Sequence, residues 1–277
     1  MATTTHDVAA KSGAKPSINV FGNLKYAWMA TAVYLIYAIS LRVYQQWAAW
    51  YAGLDSTDPI FDEYWMTLFY WEVTLEALGC VLIWSYLWKT RDLNVFNISV
   101  DEELKRIFTL VGWIFVYAMA VYWAASFFAE QDASWHQVVV RDTSFTPSHI
   151  VLFYGTMPVY IMIGVGGFIY ARTRLPEFAA KLSLPYLFAV VGPFMILPNV
   201  GYNEWGHAFW LMEEYFTAPL HWGFVVMGWT VLMLGGLAVQ VVIRLALLMK
   251  MSSQGRGGEV APLKDESMDY MEDYNKL

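Results

Sequence analysis

Four of the chain's five histidines fall into two groups of similar spacing. In the first, Asp132 is followed by His136 four residues on and by His149 thirteen after that; in the second, Asn203 is followed by His207 after four and by His221 after fourteen. Two side chains four apart on a helix share one face and can reach one ion. The later histidine of each group closely follows a proline, Pro147 or Pro219, and opens a long apolar run. Each group therefore draws its donors from two elements that meet at the end of a membrane helix. Imidazole with few carboxylates and no thiolate suits copper, iron or zinc better than calcium or magnesium. Asn203 is a weak ligand, so the second group leaves positions open, as activation of oxygen or substrate requires. A single membrane histidine is equally well accounted for as a hydrogen-bonded contact between helices. The repeated pattern is what points to metal.

Two other chemistries fit part of it. Histidines thirteen or fourteen apart on one helix would lie about 20 Å apart at 1.5 Å per residue, as for two stacked haems. Arg141, Asp142 and Pro147 interrupt the first interval, and Glu213, Glu214 and Pro219 the second. Glu204 and His207 form one Glu-x-x-His half of a di-iron carboxylate motif. The sequence has no second half, since Asp132 and His136 have the wrong spacing.

The elements that must position these groups are membrane helices. The 277 residues are 58% hydrophobic and 15% charged, against about a quarter charged in soluble domains. Fourteen Trp and eighteen Tyr suit several water–lipid boundaries. The formal charge of -7, without a basic stripe, argues against a nucleic-acid partner. Cys80 is the one cysteine, which excludes an internal disulfide and a cysteine-based zinc or iron–sulfur site. Residues 1–20 read as a disordered polar tail, 21–250 as a transmembrane helical domain, and 251–277 as a disordered acidic tail.

The expected fold class is an all-α integral membrane protein, a bundle of about six transmembrane helices joined by short amphipathic surface segments. Apolar runs predict spans at 26–44, 64–88, 107–128, 150–171, 182–200 and 220–243. The first stops before Gly53, and an acidic loop, 55–63, follows. Glu72 and Glu76, one turn apart in the second span, are expected to share a proton or bond to neighbouring helices. A proton path or accessory metal site is the alternative. Pro158 and the glycines at 164, 166 and 167 allow a kink and close helix contact in the fourth span. Basic residues mark the links at 89–106 and 172–181 and the stretch from 244 onward; the intervening links are acidic. The positive-inside tendency makes the basic links cytoplasmic. Six spans then put both termini in the cytoplasm and both histidine groups at the same outer end.

The chain resembles the C subunit of the copper-dependent membrane monooxygenases, the ammonia and particulate methane monooxygenase family. The resemblance rests on AGLDS at 52–56, LWKTRD at 87–92, EQDASWHQ at 130–137, RDTSFTPSH at 141–149, TRLP at 173–176, GPFMILPNVGYNEWGHAFWLMEE at 192–214 and APLHWGFV at 218–225. It implies copper as cofactor, with Asp132, His136 and His149 forming one site and Asn203, His207 and His221 a neighbouring site where oxygen is activated. It also implies the A and B subunits as partners, three ABC protomers in a ring within membrane lipid, and dioxygen plus two electrons from quinol. One oxygen atom enters a small substrate and the other leaves as water. DASWHQ, RDTSFTPSH, HAFW and APLHWGFV look more like the ammonia branch, which makes hydroxylamine. AAKLSLPYLFAVVGPFMILPNV looks at least as close to the methane and short-alkane branches. Arg141, Asp142 and Glu204 are expected to orient the ligands through hydrogen bonds, and Trp135, Phe209 and Trp210 to exclude water or to pack at an interface. Two readings of another class stay open: a non-catalytic scaffold, and a transporter or haem-binding, quinol-reactive membrane subunit. The expected location is a bacterial inner or intracytoplasmic membrane.

Overall fold

The computed structural model describes residues 20–134, 147–192 and 232–263. Among them every regular element is helical, and five helices are long and apolar enough to cross a membrane. The expected all-α membrane protein is what the chain forms. Five of the six expected spans can be matched to these helices; the fifth is described only at its start.

Helix α1 spans Val20–Ala52 and stops before Gly53, as expected. The second span begins earlier than the apolar run suggested. Helix α2, Pro59–Phe61, passes through a π-helical turn, Asp62–Met66, into α3, Thr67–Lys89. Asp58 caps this start by accepting from the Ile60 N–H at 3.0 Å, and Pro59 occupies the first helical position. Proline there has its φ preset and no donor to lose. The carboxylates of Asp62 and Glu63 also favour the positive end of a helix. The residues read as an acidic loop are therefore partly the first turns of the span.

Helix α4, Val100–Ser134, likewise starts before its apolar run. Ser99 Oγ accepts from the Glu102 N–H, and Asp101, Glu102 and Glu103 fill the first turn. A second device caps the same end. The chain beyond 253 turns back, so that the Glu259 and Gly257 carbonyls accept from the Val100 and Asp101 N–H groups at 2.8 and 3.0 Å. Ser252 Oγ donates to Asp101 Oδ1 at 2.7 Å, and Ala261 is buried. The segment to residue 263 is thus a packed hook where a disordered tail was expected from 251. Its backbone supplies acceptors that the first N–H groups of a helix otherwise lack.

The fourth span is composite: α5, Pro147–His149, a π-helical turn, Ile150–Tyr154, and α6, Met157–Arg174. The break at Gly155–Thr156 comes just before Pro158, where the sequence allowed a kink; Thr156 Oγ1 donates back to the Leu152 carbonyl at 2.7 Å. Two short helices follow, α7, Pro176–Ala180, and α8, Leu184–Val191, the latter capped by Ser183. Helix α9 spans Leu232–Ser253.

Helix α4 is central, packing on α1, α6 and α9, while α3 packs on α6. Tyr34 donates to the Ala120 carbonyl and Trp84 to the Met162 carbonyl, tying α1 to α4 and α3 to α6. The expected close approach occurs at Gly164, where a Cβ would strike the Tyr117 ring. Many outward residues of α1, α3 and α9, among them Val33, Ile36, Leu82 and Val242, are exposed apolar side chains. These suit contact with lipid tails.

The sixth span was expected to end at 243, with Arg244 marking water. Arg244 instead lies inside α9, 5% exposed, with Nε and Nη2 donating to the two carboxylate oxygens of Glu103 at 2.7 and 2.8 Å. Its Nη1 donates to the Pro262 carbonyl at 2.7 Å. A charge matched in this way no longer requires water, so the helix continues past it.

Candidate functional site

The basic links gather at one end of the bundle. Arg174 donates to the Leu87 and Thr90 carbonyls, Arg106 pairs with Asp92 at 2.6 Å, and Arg244 pairs with Glu103. Helix α6 runs antiparallel to α4, with Tyr170 donating to the Arg106 carbonyl and the Tyr160 and Tyr117 rings in contact. Followed backward from Tyr160, this register leads away from the basic end to His149.

His149 closes the three-residue helix that Pro147 opens, and the π-helical turn begins at the next residue. A π-helical turn is wider than an α-helical one, and such turns recur at functional sites because they re-aim side chains. Pro147, Ser148 and His149 are all buried, His149 at 2% exposure. The imidazole meets the Phe153 ring edge-on at 4.9 Å. Ile150, Val151 and Leu152 pack into an apolar cluster with Ala48, Phe61 and Trp65. The histidine therefore sits in a rigid, dry setting at the end of the bundle opposite the basic links. A buried imidazole so held fits the donor chemistry of copper, iron or zinc.

Asp132 lies on the last turns of α4, whose helix extends to Ser134. The antiparallel register of α4 and α6 brings the head of the fourth span to the level of those turns. His136, Asn203, His207 and His221 lie outside the described residues, as do Trp135, Arg141, Asp142, Glu204, Phe209 and Trp210. Among the described residues no three His, Cys, Asp or Glu side chains cluster in a way that could hold a metal.

A second polar centre lies in the membrane-spanning layer. Glu72 and Glu76 of α3 are 5% and 7% exposed. Tyr37 of α1 donates to the Gly155 carbonyl at 2.6 Å and lies 3.4 Å from Glu76 Oε1. Among the described residues, neither oxygen of Glu72 has a hydrogen-bond partner, nor does Glu76 Oε2. The expected bonding to a neighbouring helix thus holds for Glu76 and not for Glu72. A Cβ at Gly155 would collide with Glu72 Oε1, so the glycine makes the room the carboxyl occupies. Both carboxyls line a cavity of about 740 Å³ between α1, α3, α4 and α6. The two glutamates were recognisable in the sequence from their depth in an apolar run, but no local pattern signalled the cavity.

No curated protein matches the chain. The family model for the C subunit of ammonia monooxygenase/methane monooxygenase matches residues 7–252. That range contains both histidine groups, every described membrane helix up to the last residue of α9, and the buried glutamates. With most of its length matched, this multi-pass membrane protein belongs to the family of the ammonia monooxygenase/methane monooxygenase C subunit.

Proposed function

We propose that the chain is the copper-holding membrane subunit of a monooxygenase complex that inserts one oxygen atom of dioxygen into a small substrate, converting ammonia to hydroxylamine. The observation that carries this reading is the family match across residues 7–252, which takes in Asp132, His136, His149, Asn203, His207 and His221. Asp132, His136 and His149 would hold one copper, and Asn203, His207 and His221 a second, more open one. Copper, when bound, supplies the redox chemistry that dioxygen activation needs. The chain's own part is positional: Pro147 and the π-helical turn fix the backbone at His149, and the packed residues after it keep that end of the span dry. Arg141, Asp142 and Glu204 would orient the ligands.

The complex would contain the A and B subunits, as a ring of three ABC protomers in a bacterial inner or intracytoplasmic membrane, with quinol as electron donor. Six spans would place both termini in the cytoplasm. The gathering of Arg106, Arg174 and Arg244 at one end supports that orientation. Hydroxylation of methane or a short alkane is the second reading, favoured by the sequence AAKLSLPYLFAVVGPFMILPNV.

Membranes containing the complex, supplied with ammonia or with methane, are expected to take up oxygen in a substrate-dependent way and to yield hydroxylamine faster than methanol. Methanol as the dominant product would move the chain to the alkane reading. A haem Soret band in the purified complex, with no copper by elemental analysis, would overturn the monooxygenase reading. His207→Ala is expected to lower copper content and abolish turnover; normal assembly with full turnover and full copper would leave the chain a scaffold.

A further inference from the structure

We propose that the end of the bundle where the basic links gather binds an anionic phospholipid, its phosphate held between the ends of α3, α4 and α6 and one acyl chain lying along the groove between α1, α3, α4 and α6. Two adjoining hollows lie there. One, of about 520 Å³, is polar and takes its walls from Thr90 and Asp92 after α3, from Glu102, Lys105 and Arg106 of α4, and from Arg174 at the end of α6. The other is the apolar cavity of about 740 Å³. Thr109 lines both, so they meet one turn beyond Lys105. A polar hollow that adjoins an apolar one suits an amphiphile better than a free ion.

The depth agrees with this. Tyr86 and Trp88, exposed on the last turn of α3, carry the ring types that settle at the lipid–water boundary, and Thr90 follows directly. From Ile83 to Leu68 the groove-lining residues of α3 run away from the polar hollow for about 22 Å at 1.5 Å per residue. One leaflet is about 15 Å deep, half of a hydrocarbon core of about 30 Å. The groove is long enough for an acyl chain.

Charge selects the head group. The polar hollow has three basic side chains against two acidic ones. Asp92 accepts from the Asn94 N–H and from Arg106, and Glu102 Oε1 accepts from Arg106, so both acids are engaged. Lys105, its side chain 64% exposed, stands 3.6 Å from Glu102 Oε2, a surface pair that contributes little. Arg174 is held in place by the Leu87 and Thr90 carbonyls and the Thr90 hydroxyl. The excess is one positive charge. A phosphodiester carries one negative charge and accepts charge-assisted hydrogen bonds from such groups. Basic pockets between membrane helices suit anionic head groups for the same reason. A zwitterionic head group brings an ammonium whose partners here, Asp92 and Glu102, are already taken. Neither histidine group enters into this, so the lipid site and the copper reading fail separately.

The test uses the complex as purified from its membrane, in a non-ionic detergent, and a phosphatidylglycerol carrying a diazirine on one acyl chain. Peptides of α1, α3, α4 and α6 should carry the label. Unlabelled phosphatidylglycerol should compete at about one-fifth of the concentration that phosphatidylcholine with the same chains requires, the scale of one basic side chain near a membrane surface. That gap should close at about 1 M salt. Lys105→Gln removes an exposed charge and leaves the arginine framework in place; it should bring the two lipids to within about twofold of each other. Equal competition by phosphatidylcholine or by diacylglycerol on the unsubstituted complex would make the groove a hydrocarbon contact and overturn the proposal. So would label outside these four helices, unchanged selectivity in Lys105→Gln, or displacement by inorganic phosphate at constant ionic strength, which would name a free anion as the occupant. Should Lys105→Gln fail to assemble, the competition series on the unsubstituted complex decides the matter alone.

Discussion

Glu103 and Glu72 are both glutamates buried in apolar helices, and their surroundings differ completely. Glu103, 1% exposed on α4, receives two hydrogen bonds from Arg244 of α9. Glu72, 5% exposed on α3, receives none from any described residue, although the residue lines a cavity. The first carboxyl joins two spans and, through Arg244 and the Pro262 carbonyl, holds the C-terminal hook over the start of α4. The second makes no such link among the described residues and packs against Gly155. Burial alone therefore does not distinguish a paired acid from an unmatched one; the fate of each oxygen does.

The largest expected effect comes from breaking the satisfied pair. Arg244→Ala leaves Glu103 buried and uncompensated, which costs about 3–5 kcal/mol by analogy with other buried pairs. Replacing both at once, Glu103→Leu with Arg244→Met, should recover most of that loss, since neither charge then needs a partner. Denaturant titration of the purified complex reads both effects. A double variant as unstable as the single one would show that the hook, through Pro262, matters more than the charge match.

Gly155→Ala should cost less, about 1–3 kcal/mol, the usual scale of overpacking. The added Cβ would collide with Glu72 Oε1, with the Val151 carbonyl oxygen and with Leu41. Combining it with Glu72→Ala removes one of the colliding groups, so the two changes should be non-additive in stability. Strict additivity would mean that the glycine serves the backbone at the end of the π-helical turn rather than the carboxyl.

Glu72→Leu is the converse of Arg244→Ala. Its expected stability change is within about 1 kcal/mol of zero, or favourable, because it trades unmatched buried oxygens for apolar surface. A loss as large as that for Arg244→Ala would place Glu72 in the structural class with Glu103.

The same contrast bears on what could be read from the sequence. Spans were legible because, in so hydrophobic a chain, an apolar run of bilayer length can hardly be anything but a membrane helix. Their starts were not, because Asp62, Glu63, Asp101, Glu102 and Glu103 look like loop residues until the cap at Asp58 or Ser99 makes them first-turn residues. Arg244 looked like a boundary because its partner is 141 positions away. The position of His149 at the head of a span was legible from Pro147. The sequence located Glu72 and Glu76 equally well. What separates them from Glu103 is Arg244 on α9, and no pattern within α3 or α4 reports on that helix.

A third carboxylate completes the series at the smallest scale. Glu259 in the hook pairs with Arg256 at 2.7 Å, with both side chains about half exposed. The hydrogen bond and charge of Arg256 hold the Glu259 carboxyl below its ordinary range and raise the guanidinium further. A carboxyl depressed on folding adds stability that is present above its unfolded value and lost as pH falls through its folded one. The window therefore lies below about pH 4.3, the ordinary glutamate value. Solvent and salt screen an exposed pair strongly. The hook is also held by the backbone carbonyls of Gly257 and Glu259, which a side-chain change leaves in place. Glu259→Gln should accordingly leave the melting temperature at neutral pH and physiological salt unchanged within error, and flatten only a slight decline in acid. A marked loss at neutral pH would show that the Arg256 side chain, rather than the backbone, holds the hook against α4.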